Sequence, residues 1–89
     1  MIALSEDVAY GRYIHAARVL AGLDQNALGA LAGVSGSTIS NIENGRKANA
    51  STKKAVRSAL YKKGVNLSFG NDQINIGIAF VDRNREDDD

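Results

Sequence analysis

Four small hydrogen-bonding side chains, Ser37, Thr38, Ser40 and Asn41, crowd into one eight-residue stretch and are interrupted by Ile39 and, one residue on, Ile42. On a helix the isoleucines turn inward and the polar groups turn out. The chemistry on offer is reversible hydrogen bonding. The Asn41 carboxamide has the donor and acceptor geometry to pair bidentately with adenine, and Ser37, one turn earlier, reaches a base edge or a phosphate. Taken alone, such residues equally describe a solvated helix face. The stretch around them decides between the two.

Bond-making chemistry fails on inventory. Nucleophilic catalysis needs an activated Ser or Cys beside a base. The chain has no Cys, and its one histidine, His15, belongs to another segment. A single His with no Cys gives too few ligands for a metal site, so His15 reads as a surface or half-packed residue. No glycine-rich phosphate loop with its lysine is present. The sequence therefore predicts no catalytic residue, no metal and no cofactor.

The polar stretch sits inside Gln25 to Asn44, QNALGALAGVSGSTISNIEN. It reads as two short helices packed steeply around a tight turn, a helix-turn-helix. Leu28, Val34, Ile39 and Ile42 take buried positions. Gly29 and Ala32 fall where the helices approach most closely. Gly33 suits a left-handed turn residue. Asp24 and Ser35 are N-caps for Gln25–Ala32 and Gly36–Glu43.

The rest of the chain frames this unit. Ser5 caps a first helix to about Ala21, with Tyr10, Ile14, Ala17 and Ala21 as its buried stripe. Gly45 ends the third helix. Ser51 is expected to cap a fourth, Thr52 to about Lys63, with Ala55, Val56, Ala59 and Leu60 inward, and Gly64 closes it. From Val65 the period changes to 2. Val65, Leu67 and Phe69 alternate with polar residues, Gly70-Asn71-Asp72 signals a turn, and Ile74, Ile76, Ile78 and Phe80 alternate again. This predicts a β-hairpin with one apolar face. Asp82 to Asp89 is polar, highly charged and expected to be disordered. The expected fold is mainly α, four short helices and a C-terminal hairpin in one domain spanning residues 1–81, with the hairpin at 65–81 and an acidic tail at 82–89.

Charge distribution is more informative than the formal net charge of +1 over 89 residues. Between Asn44 and Lys63 lie Arg46, Lys47, Lys53, Lys54, Arg57, Lys62 and Lys63 with no acid, whereas DRNREDDD at the end carries five acids and two Arg. The middle is basic and the end acidic. No long apolar run predicts a membrane span, and no signal peptide is apparent. A soluble cytoplasmic protein is the default expectation.

The run GLDQNALGALAGVSGSTISNIENGR resembles the phage-repressor and Cro-type helix-turn-helix regulators, the xenobiotic-response-element family, over about Ile14 to Leu60. Gln25 opens the second helix, Gly33-Val34 makes the turn, and Ile42-Glu43-Asn44-Gly45 closes the third helix. The resemblance implies a lambda-repressor-like bundle, a third helix docked in the DNA major groove, and an ion pair between Arg18 and Glu43. The chain departs from the family after Lys63, where a hairpin replaces a fifth helix, so a dimer contact through that helix does not carry over.

Base contacts are then expected from Gly36, Ser37, Thr38, Ser40 and Asn41. The Gly36 position often reads a base in the family but has no side chain here, which shifts the reading towards Ser37. Phosphate contacts are expected from Gln25 and Ser35, at helix starts where free N–H groups and the dipole favour anions, and from Asn44, Arg46 and Lys47, which follow the third helix at the edge of the groove. The resemblance matches Gln25, Asn44, Arg46 and Lys47 to phosphate-contacting positions. Lys53, Lys54 and Arg57 would extend the basic surface. The expected partners are double-stranded DNA with a near-palindromic operator and a second copy of the chain. That homodimer would form through Ile74, Ile76, Ile78 and Phe80, because a strand from Gln73 to Val81 outruns Val65–Phe69 and leaves Gly77 to Val81 unpaired. The competing reading is a protein-interaction module that uses the hairpin edge, with the helix-turn-helix as scaffold.

Overall fold

The computed structural model describes residues 3–70 and 73–80. Four helices, α1 (Glu6–Leu20), α2 (Gln25–Ala32), α3 (Gly36–Glu43) and α4 (Ala50–Lys62), precede strands β1 (Val65–Gly70) and β2 (Gln73–Ile78). The architecture is the expected one, mainly helical with a C-terminal antiparallel hairpin.

Each helix starts at a polar cap. Ser5 Oγ accepts from Val8 N–H at 3.3 Å, Asp24 Oδ1 from Ala27 N–H at 2.7 Å and Ser35 Oγ from Thr38 N–H at 3.1 Å. A lost cap of this kind costs about 1 kcal/mol. The fourth cap corrects the sequence reading. Asn49, not Ser51, caps α4: its Oδ1 accepts from Thr52 N–H at 2.8 Å, and the Ser51 hydroxyl donates to the same oxygen at 2.9 Å. Asn is at least as good a cap as Ser, and Ala50 is a strong helix former, so the helix begins two residues earlier.

The helices converge on one core of Tyr10, Ile14, Ala17, Leu28, Ile39, Ile42, Val56, Ala59 and Leu60, to which the hairpin adds Val65 and Leu67. α3 is fixed by Ile39 and Ile42, both essentially fully buried; each such side chain contributes about 1.5–3 kcal/mol. Two glycines set the helix separations. At Gly29 a Cβ would fall 2.7 Å from the Val34 carbonyl oxygen, so the α2 backbone lies directly on the turn that leads into α3. At Gly11, in the middle of α1, a Cβ would collide with the Ile42 carbonyl oxygen and lie 3.0 Å from that of Glu43. The Gly29 approach is the one expected from the sequence; the Gly11 approach carries no local sequence signal.

The hairpin differs from expectation in length. β1 and β2 have six residues each and pair from Val65↔Ile78 to Gly70↔Gln73. The Ala79 N–H continues the ladder by donating to Gly64 O at 2.7 Å. No unpaired overhang at Gly77 to Ala79 exists, because β1 starts directly after Gly64 and reaches back to meet that end of β2. Val81 lies outside the described residues, as do Asn71 and Asp72 of the expected turn and the tail 82–89. The register puts Val65, Leu67, Phe69, Ile74, Ile76 and Ile78 on one face. Ile74 and Ile76 are half-buried, and Ile76 packs on the core, whereas Ile78 (54 % exposed) and Phe80 (83 %) remain open.

Candidate nucleic-acid interface

The α2–turn–α3 unit presents one polar surface. Gly33, at φ 75°, supplies the left-handed residue that ends α2, and the Val34 N–H donates to Gly29 O at 2.8 Å. Ser35 then caps α3 directly. With Ile39 and Ile42 facing the core, Ser37 and Asn41 are exposed one turn apart on the opposite side, and the exposed Asn44 follows at the helix end.

The other residues expected at base edges are less free. Thr38 is half-buried and its Oγ1 is 3.0 Å from Ser35 Oγ, so those two hydroxyls hydrogen-bond to each other. Ser40 is half-buried beside Asn44 Nδ2. The space that a side chain at Gly36 would use is occupied: a Cβ there would collide with Asn26 Oδ1 and lie 3.1 Å from Asn26 Cγ. The sequence reading gave Asn26 no role. A glycine where a longer residue was expected was the available signal, since some neighbour had to fill that space.

The helix ends around this surface are tied together by one carboxylate. Arg18 donates to Glu43 through Nε–Oε2 at 2.6 Å and Nη2–Oε1 at 3.1 Å, and through Nη1 to Leu23 O at 3.0 Å. The expected Arg18–Glu43 pair is thus present and bidentate. His15 Nδ1 lies 2.8 Å from Glu43 Oε1, and Gln25 Nε2 donates to the same oxygen at 3.3 Å. His15 is a surface histidine, 59 % exposed at its side chain, whereas the Glu43 side chain is 6 % exposed. Burial acts to raise the Glu43 pKa, but the hydrogen bonds from Arg18, His15 and Gln25 and the Arg18 charge outweigh it and hold the carboxyl below its ordinary range. The same hydrogen bond raises the Arg18 pKa. Gln25 is therefore held by its amide nitrogen at the start of α2.

The basic residues divide. Arg46 and Lys47 are exposed in the loop after α3. Lys53 and Arg57 do not simply extend a basic face: Lys53 Nζ sits 4.7 Å from the centre of the Tyr10 ring and Arg57 Cζ 5.2 Å from that of Phe69. Both cations lie against aromatic faces where α1, α4 and the hairpin meet. Tyr10 itself is an anomaly of this junction. Its hydroxyl is buried without a hydrogen-bond partner among the described residues, and desolvation, only partly offset by Arg57, pushes its pKa up to about 12.

Among the described residues no group of His, Cys, Asp or Glu is arranged to hold a metal ion, and no helix is long and apolar enough to cross a membrane. Two short helices joined at a left-handed glycine, the second with a polar outer face, define a helix-turn-helix. Residues 9–60, more than half of the chain, match the family described as helix-turn-helix domain, and the chain belongs to that family. The match supports a DNA-binding regulator. A search of curated proteins finds no match.

Proposed function

We infer that the protein is a sequence-specific transcriptional regulator of the phage-repressor and Cro type, a repressor that occupies its operator with α3 in the major groove. The observation that carries this reading is the division of α3. Ile39 and Ile42 lock one side into the core, and Ser37 and Asn41 stand exposed on the other. An α-helix fits the major groove, where each base pair presents a distinct pattern of donors and acceptors. Asn41 is the principal reader, and Ser37 assists. Thr38 and Ser40, flanking them, serve more to shape the surface than to read it. Gln25, Ser35, Asn44, Arg46 and Lys47 orient the unit on phosphates. A phage or prophage regulator, an antitoxin and a restriction–modification controller are equally served by this arrangement.

The regulator works as a homodimer through the outer side of the hairpin. An overhanging strand does not support this, since β2 is paired along its length. The support is the open end of the sheet, where Ile78, Phe80 and Tyr61 (69 % exposed) are apolar and exposed together with the outer edge of β2. Such an edge favours strand pairing with another chain. Pairing about a two-fold axis would present two α3 helices to half-sites about 34 Å apart. Ile74 and Ile76, half-covered by their own helices, would contribute little beyond the edge itself.

Selection of bound fragments from a random duplex pool tests the function. A regulator enriches one near-palindromic motif. Fragments recovered without a common motif would leave the hairpin as the functional surface and the helix-turn-helix as its scaffold.

A further inference from the structure

Gly36 is the first residue of α3 and brings no side chain to the surface there. The position is nevertheless filled from the other helix. The Asn26 side chain lies across Gly36, close enough that a single Cβ on residue 36 would displace it. Asn26 is exposed, and among the described residues no hydrogen bond engages its carboxamide, in contrast to the neighbouring Gln25, whose Nε2 is held by Glu43. A free donor–acceptor pair thus stands at the N-terminal end of α3, carried by the second residue of α2.

We propose that Asn26 is a specificity-determining residue: its carboxamide, lying over Gly36, reads an adenine at the end of the half-site that the start of α3 faces. The inference rests on the DNA-binding reading given above. An Asn carboxamide matches the N6 donor and N7 acceptor that adenine presents in the major groove. Gly36 is the permissive half of the arrangement, because its bare Cα lets a side chain from α2 cross to the face of α3. Asn26 and Asn41 then bracket the recognition surface, one at each end of α3, with Ser37 between them.

The test is selection from a random duplex pool with the full chain and with Asn26→Ala, Gly36→Ala and Asn41→Ala, each first shown to be folded by a cooperative thermal melt. Asn26→Ala is expected to lose the preference for one adenine in each half-site by about tenfold or more, with the position sensitive to Asn41→Ala retained. Gly36→Ala, whose Cβ pushes the Asn26 amide aside, should lose the same preference. A motif unchanged in Asn26→Ala, or a uniform fall in affinity with the motif intact, would make Asn26 a bystander or a phosphate contact and overturn the proposal. Retention of that adenine by Gly36→Ala would overturn it too. A wild-type chain that enriches no motif removes the DNA reading and this inference together, so the two failures are distinguishable.

Discussion

Gln25 Nε2 donates to Glu43 Oε1, and so joins the first turn of α2 to the last turn of α3 through the same carboxylate that Arg18 of α1 holds bidentately. One nearly covered carboxylate therefore fixes the relative placement of three helices and of a residue expected to meet a phosphate. Glu43 lies at a helix C-terminus, where the dipole disfavours an anion. The guanidinium offsets that cost.

Arg18→Ala should destabilise the fold by about 3 kcal/mol, since it strands a nearly buried carboxylate. Glu43→Gln should cost less, and a double-mutant cycle in denaturant should give a coupling well above that of an exposed pair. The pH dependence has a definite sign. Glu43 has a depressed folded pKa, so its contribution is complete above its unfolded value, about 4.3, and is lost as pH falls through the folded one. Glu43→Gln should flatten the acid limb of the stability profile. No coupling would mean two independent surface charges.

Gly11→Ala tests the contact between α1 and the end of α3. On an isolated helix the change would stabilise by about 1 kcal/mol. Here the new methyl meets the Ile42 carbonyl oxygen, and overpacking of that kind costs about 1–3 kcal/mol. A lower midpoint in urea is expected. A raised midpoint would show that α1 and α3 separate without cost.

Tyr10→Phe removes a buried hydroxyl that lacks a partner, so stability at neutral pH should hold or rise. At high pH the effect is larger. Tyr10 keeps its proton in the folded state up to about pH 12 but releases it near pH 10 when unfolded. The folded state then binds more protons, and stability falls across that window. The difference between the two states corresponds to about 2–3 kcal/mol. Alkaline denaturation of Tyr10→Phe should lack this component.

Ile78→Lys addresses the dimer. Sedimentation equilibrium should show a wild-type dimer at micromolar concentration and a monomeric variant that still unfolds cooperatively, because Ile78 is already half exposed, with only the concentration-dependent part of the thermal midpoint lost. A monomeric wild type would falsify the dimer; an unaffected dimer would move its interface elsewhere.

Much of this fold was legible in the sequence because local signals agreed with each other. Asp24, Gly33 and Ser35 mark the ends of α2 and α3 by capping and turn chemistry alone, and the change of period at Val65 marks the hairpin. What escaped depended on partners distant in sequence. Gly11 is an unremarked glycine in a helical pattern until the Ile42 carbonyl is placed against it. Asn26 looks like a solvent residue until Gly36 is seen beneath it. Apolar alternation continues to Phe80 and so points to a strand overhang, whereas pairing is limited by where β1 begins after Gly64. Asn49 and Ser51 were both competent caps, and only the chain's path into α4 chose between them.

Sequence reading by α3 is tested most directly by a binding titration of wild type, Asn41→Ala and Arg46→Ala on the selected operator and on a shuffled duplex over a series of salt concentrations. Wild type should bind the operator far more tightly than the shuffled duplex and lose affinity steeply with salt. Asn41→Ala should lose about 1–3 kcal/mol of that discrimination with the salt slope unchanged, and Arg46→Ala should weaken both duplexes alike and flatten the slope by about one. Equal wild-type affinity for the two duplexes, or an Asn41→Ala variant that discriminates as well as wild type, would contradict the account.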